Sequence, residues 1–176
     1  MDKETQDNIV DEFRDRIIKE KGDKAIPPKR ITWDCWCCHK VYNSVRRDLT
    51  WSMVVSLIVL KEMEDRTGQH FHKFRDVWKE CEEGKYRLMP SDQSFLKTKW
   101  GLLEHADKTV LHYDKFVGLT KKGYEFLKNN YSCKQYFYTE PVTKQSLFSK
   151  STVDFKTICN TGMDDKDERN PFYNED

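Results

Sequence analysis

Two stretches of the sequence decide the fold: FLKTKWGLLE at residues 95–104 and GLTKKGYEFL at residues 118–127. Apolar residues recur at helical spacing in the first stretch, and Gly101 predicts the end of that helix. Ser91 predicts the N-cap of the same helix, because its hydroxyl can accept a hydrogen bond from a free backbone amide. For the same reason, Thr120 in the second stretch predicts the start of another helix.

The segment between these two helices is typical of a β-hairpin, with strands at 102–105 and 110–117. Upstream, apolar residues at three- and four-residue steps predict helices over residues 5–21, 43–65 and 71–84. The last three helices before the hairpin follow the order of a winged helix-turn-helix domain. We therefore predict an α+β fold in which this domain carries an N-terminal helix and a short C-terminal β extension.

The two stretches, together with the upstream Cys35-x-x-Cys38 motif, resemble a family of small bacterial and bacteriophage proteins of unknown function. The first stretch resembles the pattern xxLxxWGLIE that leads from a recognition helix into a wing, and the second resembles LTxxGxxFL. The resemblance implies a short cysteine knuckle, then a winged helix, then a β extension. This chain lacks the Pro and Gly of the family's CPxCG-like knuckle and has an additional Cys37.

Composition and patterning divide the chain into four segments. Residues 1–30 form an amphipathic helix and a proline linker, and residues 31–130 form the cysteine knuckle and the winged-helix domain. Residues 131–159 form the β extension, in which aromatic and β-branched residues alternate with polar ones. Residues 160–176 are acidic and polar, which predicts a mobile tail.

The charge balance argues against a strongly basic nucleic-acid coat, since 31 Lys and Arg face 30 Asp and Glu in 176 residues, for a net charge of +1. The first residues are polar and show no apolar core of a signal peptide. The longest mostly apolar run, residues 51–60, is half of what a bilayer span requires. We therefore expect a cytoplasmic protein with no membrane partner, in the host cytoplasm if a phage encodes it.

Three cysteines within four residues suggest a metal site, because a tight turn can direct two thiolates towards one ion. Cys35 and Cys38 are the predicted zinc ligands, and Cys37 and His39 are candidates for further ligands. A structural zinc site needs four ligands, and the sequence contains no second Cys-x-x-Cys. Free thiols in a reducing cytosol are therefore the alternative.

The predicted helix that begins after Ser91 and ends at Gly101, the third of the winged-helix order, supplies the candidate contacts to double-stranded DNA. These residues lie off its apolar face or flank it, and they are Ser94, Lys97, Thr98 and Lys99, with Arg87 before the helix and Lys108 in the wing. Such side chains reach base edges or phosphates when a helix enters the major groove. We predict a DNA-binding protein that modulates transcription, and a homodimer would add a second half-site.

The alternative is an adaptor or inhibitor that binds a protein, for example a phage protein that binds a host enzyme or defence complex. Its contact face would be the apolar side of the N-terminal helix, with Ile9, Phe13 and Ile17. We do not expect an enzyme, because the sequence has no Gly-rich phosphate loop, no Gly-x-Ser-x-Gly and no His-Glu-x-x-His.

Overall fold

The structure is a computed structural model, and it describes residues 1–24, 26–106 and 115–162. Helices and small antiparallel sheets are mixed along the chain, which confirms the predicted α+β class. Among the described helices, none combines the length and the apolar character needed to cross a membrane.

The helices are α1 (Lys3–Lys21), α2 (Trp51–Thr67), α3 (Phe74–Glu83), α4 (Pro90–Phe95, continued by a π-helical turn at Leu96–Trp100), α5 (Lys121–Leu127) and α6 (Phe155–Gly162). The strands are β1 (Arg30–Asp34), β2 (Val41–Val45), β3 (Arg47–Asp48), β4 (His72–Lys73), β5 (Leu103–His105), β6 (Phe116–Leu119), β7 (Cys133–Lys134), β8 (Tyr136–Thr139), β9 (Ser146–Phe148) and β10 (Thr152–Val153).

The chain divides into two compact units. Met1–Asp48 and Lys134–Ser151 form the first, called here the N-terminal unit. Leu49–Cys133 and Thr152–Asp176 form the second, called here the central unit. The N-terminal helix, the cysteine turn and most of the β extension therefore share one unit. The sequence instead predicts the cysteine turn in one segment with the winged helix.

The N-terminal unit is built from α1, the β1–β2 hairpin and the antiparallel sheet β3-β8-β9. Its apolar core joins segments that are distant in sequence, with Phe13 from α1, Trp33 from β1 and Tyr138 from β8 all buried. A polar contact also connects the hairpin to β8, because the Ser44 hydroxyl on β2 donates to the Thr139 carbonyl at 2.8 Å. Aromatic volume thus supplies much of this small core.

The central unit is arranged around α2, which buries most of its side chains and packs against α3, α5 and α6. Its sheet has the order β4-β6-β5, with His72 opposite Val117 and Leu103 opposite Leu119. Helix α2 is terminated by Gly68, whose backbone adopts the left-handed conformation (φ 70°) that glycine accommodates without strain.

The predicted start of the second helix is wrong. Residues 43–50 are not helical: β2 and β3 occupy most of them, and α2 begins at Trp51. Thr50 is the N-cap, since its hydroxyl accepts a hydrogen bond from the Met53 amide. The pairing of β2 with β1 satisfies backbone groups that a longer helix would otherwise have to satisfy.

Two other boundaries differ from the prediction. The third helix begins at Pro90 with Met89 as its N-cap, so Ser91 lies inside it. The β extension ends in α6, which the sequence analysis missed, and the Asp154 carboxylate caps this helix by accepting from the Thr157 amide at 2.8 Å. Strands β5 and β6 overlap the two predicted strands of the β-hairpin, and residues 107–114 and 163–176 lie outside the described part of the chain.

Candidate functional site

The three neighbouring cysteines lie in the turn that closes the β1–β2 hairpin of the N-terminal unit. Two backbone hydrogen bonds shape this turn: the Cys35 amide donates to the Lys40 carbonyl at 3.0 Å, and the His39 amide donates to the Cys35 carbonyl at 2.8 Å. His39 adopts a left-handed backbone conformation with φ 52°. The chain therefore reverses tightly between Asp34 and Val41, which are opposite one another in the hairpin.

Cys35 is held in place by the core of the unit. It is 1% exposed and belongs to the same apolar cluster as Phe13 and Trp33. The ring centroids of Phe13 and Trp33 are 5.6 Å apart. The ring centroid of Tyr42, on the opposite strand, is 6.2 Å from that of Trp33. The hairpin thus fixes the first thiol on a rigid base, whereas Cys37 and Cys38 are exposed.

The turn brings the three sulfur atoms together. The Sγ atoms of Cys35, Cys37 and Cys38 all lie within 4.8 Å of one another, and those of Cys35 and Cys37 are 2.8 Å apart. Tyr42 was not identified from the sequence, yet its hydroxyl is 3.4 Å from the Cys38 sulfur. A tyrosine four residues beyond a cysteine, across a tight hairpin, is the signal that could have revealed it.

The pKa values of Cys37 and Cys38 are shifted in opposite directions because their contacts differ. A hydrogen bond from the Tyr42 hydroxyl stabilises the Cys38 thiolate and lowers the pKa of Cys38 to about 7. The same contact raises the pKa of Tyr42 to about 12. The contact with the Cys35 thiol, followed by partial desolvation, raises the pKa of Cys37 to about 12.

This trio can hold a metal ion through sulfur. Thiolates are ligands for zinc and for softer ions. The cluster contains both predicted zinc ligands, Cys35 and Cys38, and it includes Cys37 as a third. His39 follows directly in the chain, but it is not among the clustered ligand groups of the described residues. The turn therefore supplies three of the four ligands that a structural zinc site uses.

The second candidate site is the helix formed by α4 and its π-helical turn. Leu96 and Trp100 are buried, so this face is fixed in the central unit. Thr98 is exposed and Ser94, Lys97 and Lys99 are partly exposed, as the DNA-binding hypothesis requires. The Thr98 hydroxyl donates to the Ser94 carbonyl at 2.6 Å, so it already has a partner within the helix.

Charge around this helix is more positive than the sequence alone indicates. Residues 85–100 contain four cationic side chains and one acid, Asp92. Asp92 is 8% exposed and accepts a hydrogen bond from the Met89 amide at 2.8 Å. The negative charge is therefore turned inwards, while Arg87 remains exposed. Lys108, the predicted contact in the wing, lies outside the described residues.

A hydrogen-bond network fixes the base of the β5–β6 hairpin. His70 contacts the Tyr124 hydroxyl through Nδ1 and the Glu104 carboxylate through Nε2, both at 3.1 Å. Tyr124 also donates to Glu64 on α2. Gly118 lies directly beneath this network, since a Cβ there would be 2.8 Å from His70 Nε2. One loop residue thereby connects α2, β5 and α5.

The apolar face of α1, which is predicted to bind another protein, packs mainly against the core of its own unit. Ile9 and Phe13 are 0% exposed and lie in the core of the N-terminal unit, and Ile17 packs against that core. The amphipathic pattern was read correctly as a helix, but its apolar side is already covered by β1 and β8. Ile9 and Phe13 are therefore covered within the unit itself, whereas Ile17 remains partly exposed.

Comparison of the chain with protein-family models, with curated proteins and with solved structures gives no match.

Proposed function

We propose that the central unit is a winged helix-turn-helix domain and that the protein is a non-enzymatic, double-stranded DNA-binding protein that modulates transcription. The observation that carries this proposal is the order of elements. Strand β4 lies between α2 and α3, a third helix follows, and the β5–β6 hairpin returns to the sheet in the order β4-β6-β5. In a winged helix, this hairpin is the wing and the helix before it is the recognition helix.

The charge distribution supports the same proposal. The recognition helix presents Lys97 and Lys99 together with the short side chains of Ser94 and Thr98, which allow close approach to a groove. Arg87 precedes the helix on an exposed segment. Burial of the Asp92 carboxylate removes the nearest acidic group from this surface. Lysine and arginine contacts to phosphate would supply affinity, and contacts to base edges would supply specificity.

The hydrogen-bonded base of the β5–β6 hairpin also supports the proposed DNA-binding function. His70, Glu104 and Tyr124 connect the wing strands to the helices through hydrogen bonds, so the wing has a fixed origin. A helix and a wing that are held in one orientation can engage adjacent parts of a duplex together. A second copy on a neighbouring half-site would increase affinity and extend the sequence that is read.

The test is a titration of fluorescently labelled random-sequence duplex DNA with the full chain, at about 50 and about 200 mM salt, followed by fluorescence anisotropy. Each neutralised phosphate contributes about −0.9 to the slope of log K against log salt concentration. The variant Lys97→Glu/Lys99→Glu removes two such contacts, so we expect the slope to become shallower by about 1.8.

The matched control is Lys3→Glu/Lys24→Glu, which changes the net charge equally at two exposed positions of the N-terminal unit. We expect this control to retain most of the affinity of the unmodified protein. Equal losses in both variants would show that only overall charge matters and would remove the recognition-helix assignment. Absence of DNA binding at low salt would overturn the proposal.

A further inference from the structure

We propose that the cysteine turn of the N-terminal unit is a three-sulfur binding site for a soft metal ion, with Cu(I) as the ion that fits it. The ligands are the Sγ atoms of Cys35, Cys37 and Cys38. This inference goes beyond DNA binding and does not depend on it, because the residues concerned belong to the other unit.

The distances between the sulfur atoms suit a shared ion. A thiolate lies about 2.3 Å from a bound zinc ion, so two sulfurs on one ion of that size are at most about 4.6 Å apart. The three Sγ atoms already lie within 4.8 Å of one another. In a trigonal site with these bond lengths the sulfurs are about 4.0 Å apart, so Cys35 and Cys37, now at 2.8 Å, have to separate by about 1 Å. The exposed position of Cys37 leaves its side chain room to do so.

The number of ligands favours a soft ion over structural zinc. Structural zinc is almost always held by four protein ligands in a closed tetrahedron. In the described part of the chain, the cluster consists of three cysteines, with no histidine, aspartate or glutamate in it. Thiolate ligands select soft ions such as Cu(I), and three sulfurs complete a trigonal arrangement without a fourth protein ligand.

The support around the turn favours a built site over three incidental thiols. Cys35 is anchored in the core beside Trp33, and two backbone hydrogen bonds close the turn around it. Preorganisation of this kind lowers the cost of gathering ligands, because the chain already has the conformation that the ion requires. The remaining cysteines, Cys81, Cys133 and Cys159, are each buried elsewhere and do not join the cluster.

The experiment is an anaerobic titration of the reduced full chain with Cu(I) in competition with a chromophoric Cu(I) chelator. We expect one tightly bound ion per chain, with X-ray absorption showing three sulfur neighbours. Cys37→Ser and Cys38→Ser should each lose this tight site. Both positions are exposed, so circular dichroism and thermal melting of these variants should match the unmodified protein. Cys35→Ala tests the buried ligand under the same folding control.

The matched control is His39→Ala, which changes a neighbour of the cluster and leaves all three sulfurs in place. We expect Cu(I) affinity and sulfur number to be unchanged in this variant. Failure of the unmodified chain to retain Cu(I) against the chelator would overturn the proposal. Preference for zinc with loss of binding on removal of His39 would also overturn it, in favour of a four-ligand site. The Lys97→Glu/Lys99→Glu variant should bind the ion normally, which separates this result from the DNA-binding proposal.

Discussion

Replacing Gly123 by alanine tests the packing of the central unit, because helix propensity and tertiary packing predict opposite results. Gly123 lies inside α5 and is buried. Alanine in the interior of a helix is favoured over glycine by about 1 kcal/mol. However, a Cβ at this position would approach the Leu102 carbonyl oxygen more closely than the 3.0 Å that real Cβ atoms respect, and would lie 3.2 Å from Leu119 Cδ2.

The carbonyl of Leu102 cannot easily move away. It accepts the Thr120 amide at 3.1 Å, and the Thr120 hydroxyl donates to the adjacent Gly101 carbonyl at 2.6 Å. Overpacking in a buried site costs about 1–3 kcal/mol, and a rigid backbone neighbour favours the upper end. After subtraction of the propensity gain, we expect Gly123→Ala to lower the free energy of unfolding by about 2 kcal/mol.

The assay is thermal unfolding followed by circular dichroism. For a protein of this size, about 2 kcal/mol corresponds to a decrease in melting temperature of roughly 4–8 °C. Lys121→Ala is the control in the same helix, since Lys121 is exposed and its replacement should change stability by less than about 0.5 kcal/mol. A Gly123→Ala protein that is more stable than the unmodified chain would refute the close approach of α5 to the Leu102 carbonyl just before β5.

Three further predictions concern the core, a helix cap and pH. Phe13→Ala should lower the free energy of unfolding by about 3–5 kcal/mol in urea titrations, because the ring is fully buried. Unchanged stability would show that Phe13 does not belong to the core. Thr120→Ala removes the hydroxyl that accepts a hydrogen bond from the Gly123 amide, so the free energy of unfolding should decrease by about 1 kcal/mol. Burial raises the pKa of Cys133 and Cys159 to about 12 from the ordinary value of 9.0, so between these values the folded state binds more protons than the unfolded state. Stability should therefore fall as the pH rises through this range, and a melting temperature that is constant from pH 8 to pH 10 would contradict it.

Local sequence signals predict the helix ends that are marked by a characteristic capping residue. The end of the third helix at Gly101 and the cap at Thr120 were read from residue type, and the structure has both, with φ 67° at Gly101. Gly123 is recognisable as the glycine of the LTxxGxxFL pattern, but the pattern does not show why a side chain is excluded at this position. The carbonyl that excludes a side chain there belongs to Leu102, just before β5, which lies outside the motif that contains Gly123.

Pairing between distant segments explains the errors. Val45 and Leu49 fit the helical spacing of the following residues, so the helix was extended backwards over a strand. Thr50 before an apolar run was the local signal for the true start. Likewise, the cysteine motif was recognised, but its place beside Phe13 depends on the β1–β2 pairing and on Tyr138, which one-dimensional spacing does not reveal.

The division of the N-terminal unit between Met1–Asp48 and Lys134–Ser151 has a consequence for synthesis on the ribosome. The hairpin with the cysteine turn leaves the exit tunnel long before β8 and β9 are translated. At about 5–20 residues per second, the wait lasts roughly 5–20 seconds. Throughout that interval Phe13 and Trp33 lack the Tyr138 side of their core. Until β8 and β9 are made, the nascent chain therefore exposes an incomplete apolar core next to three free thiols.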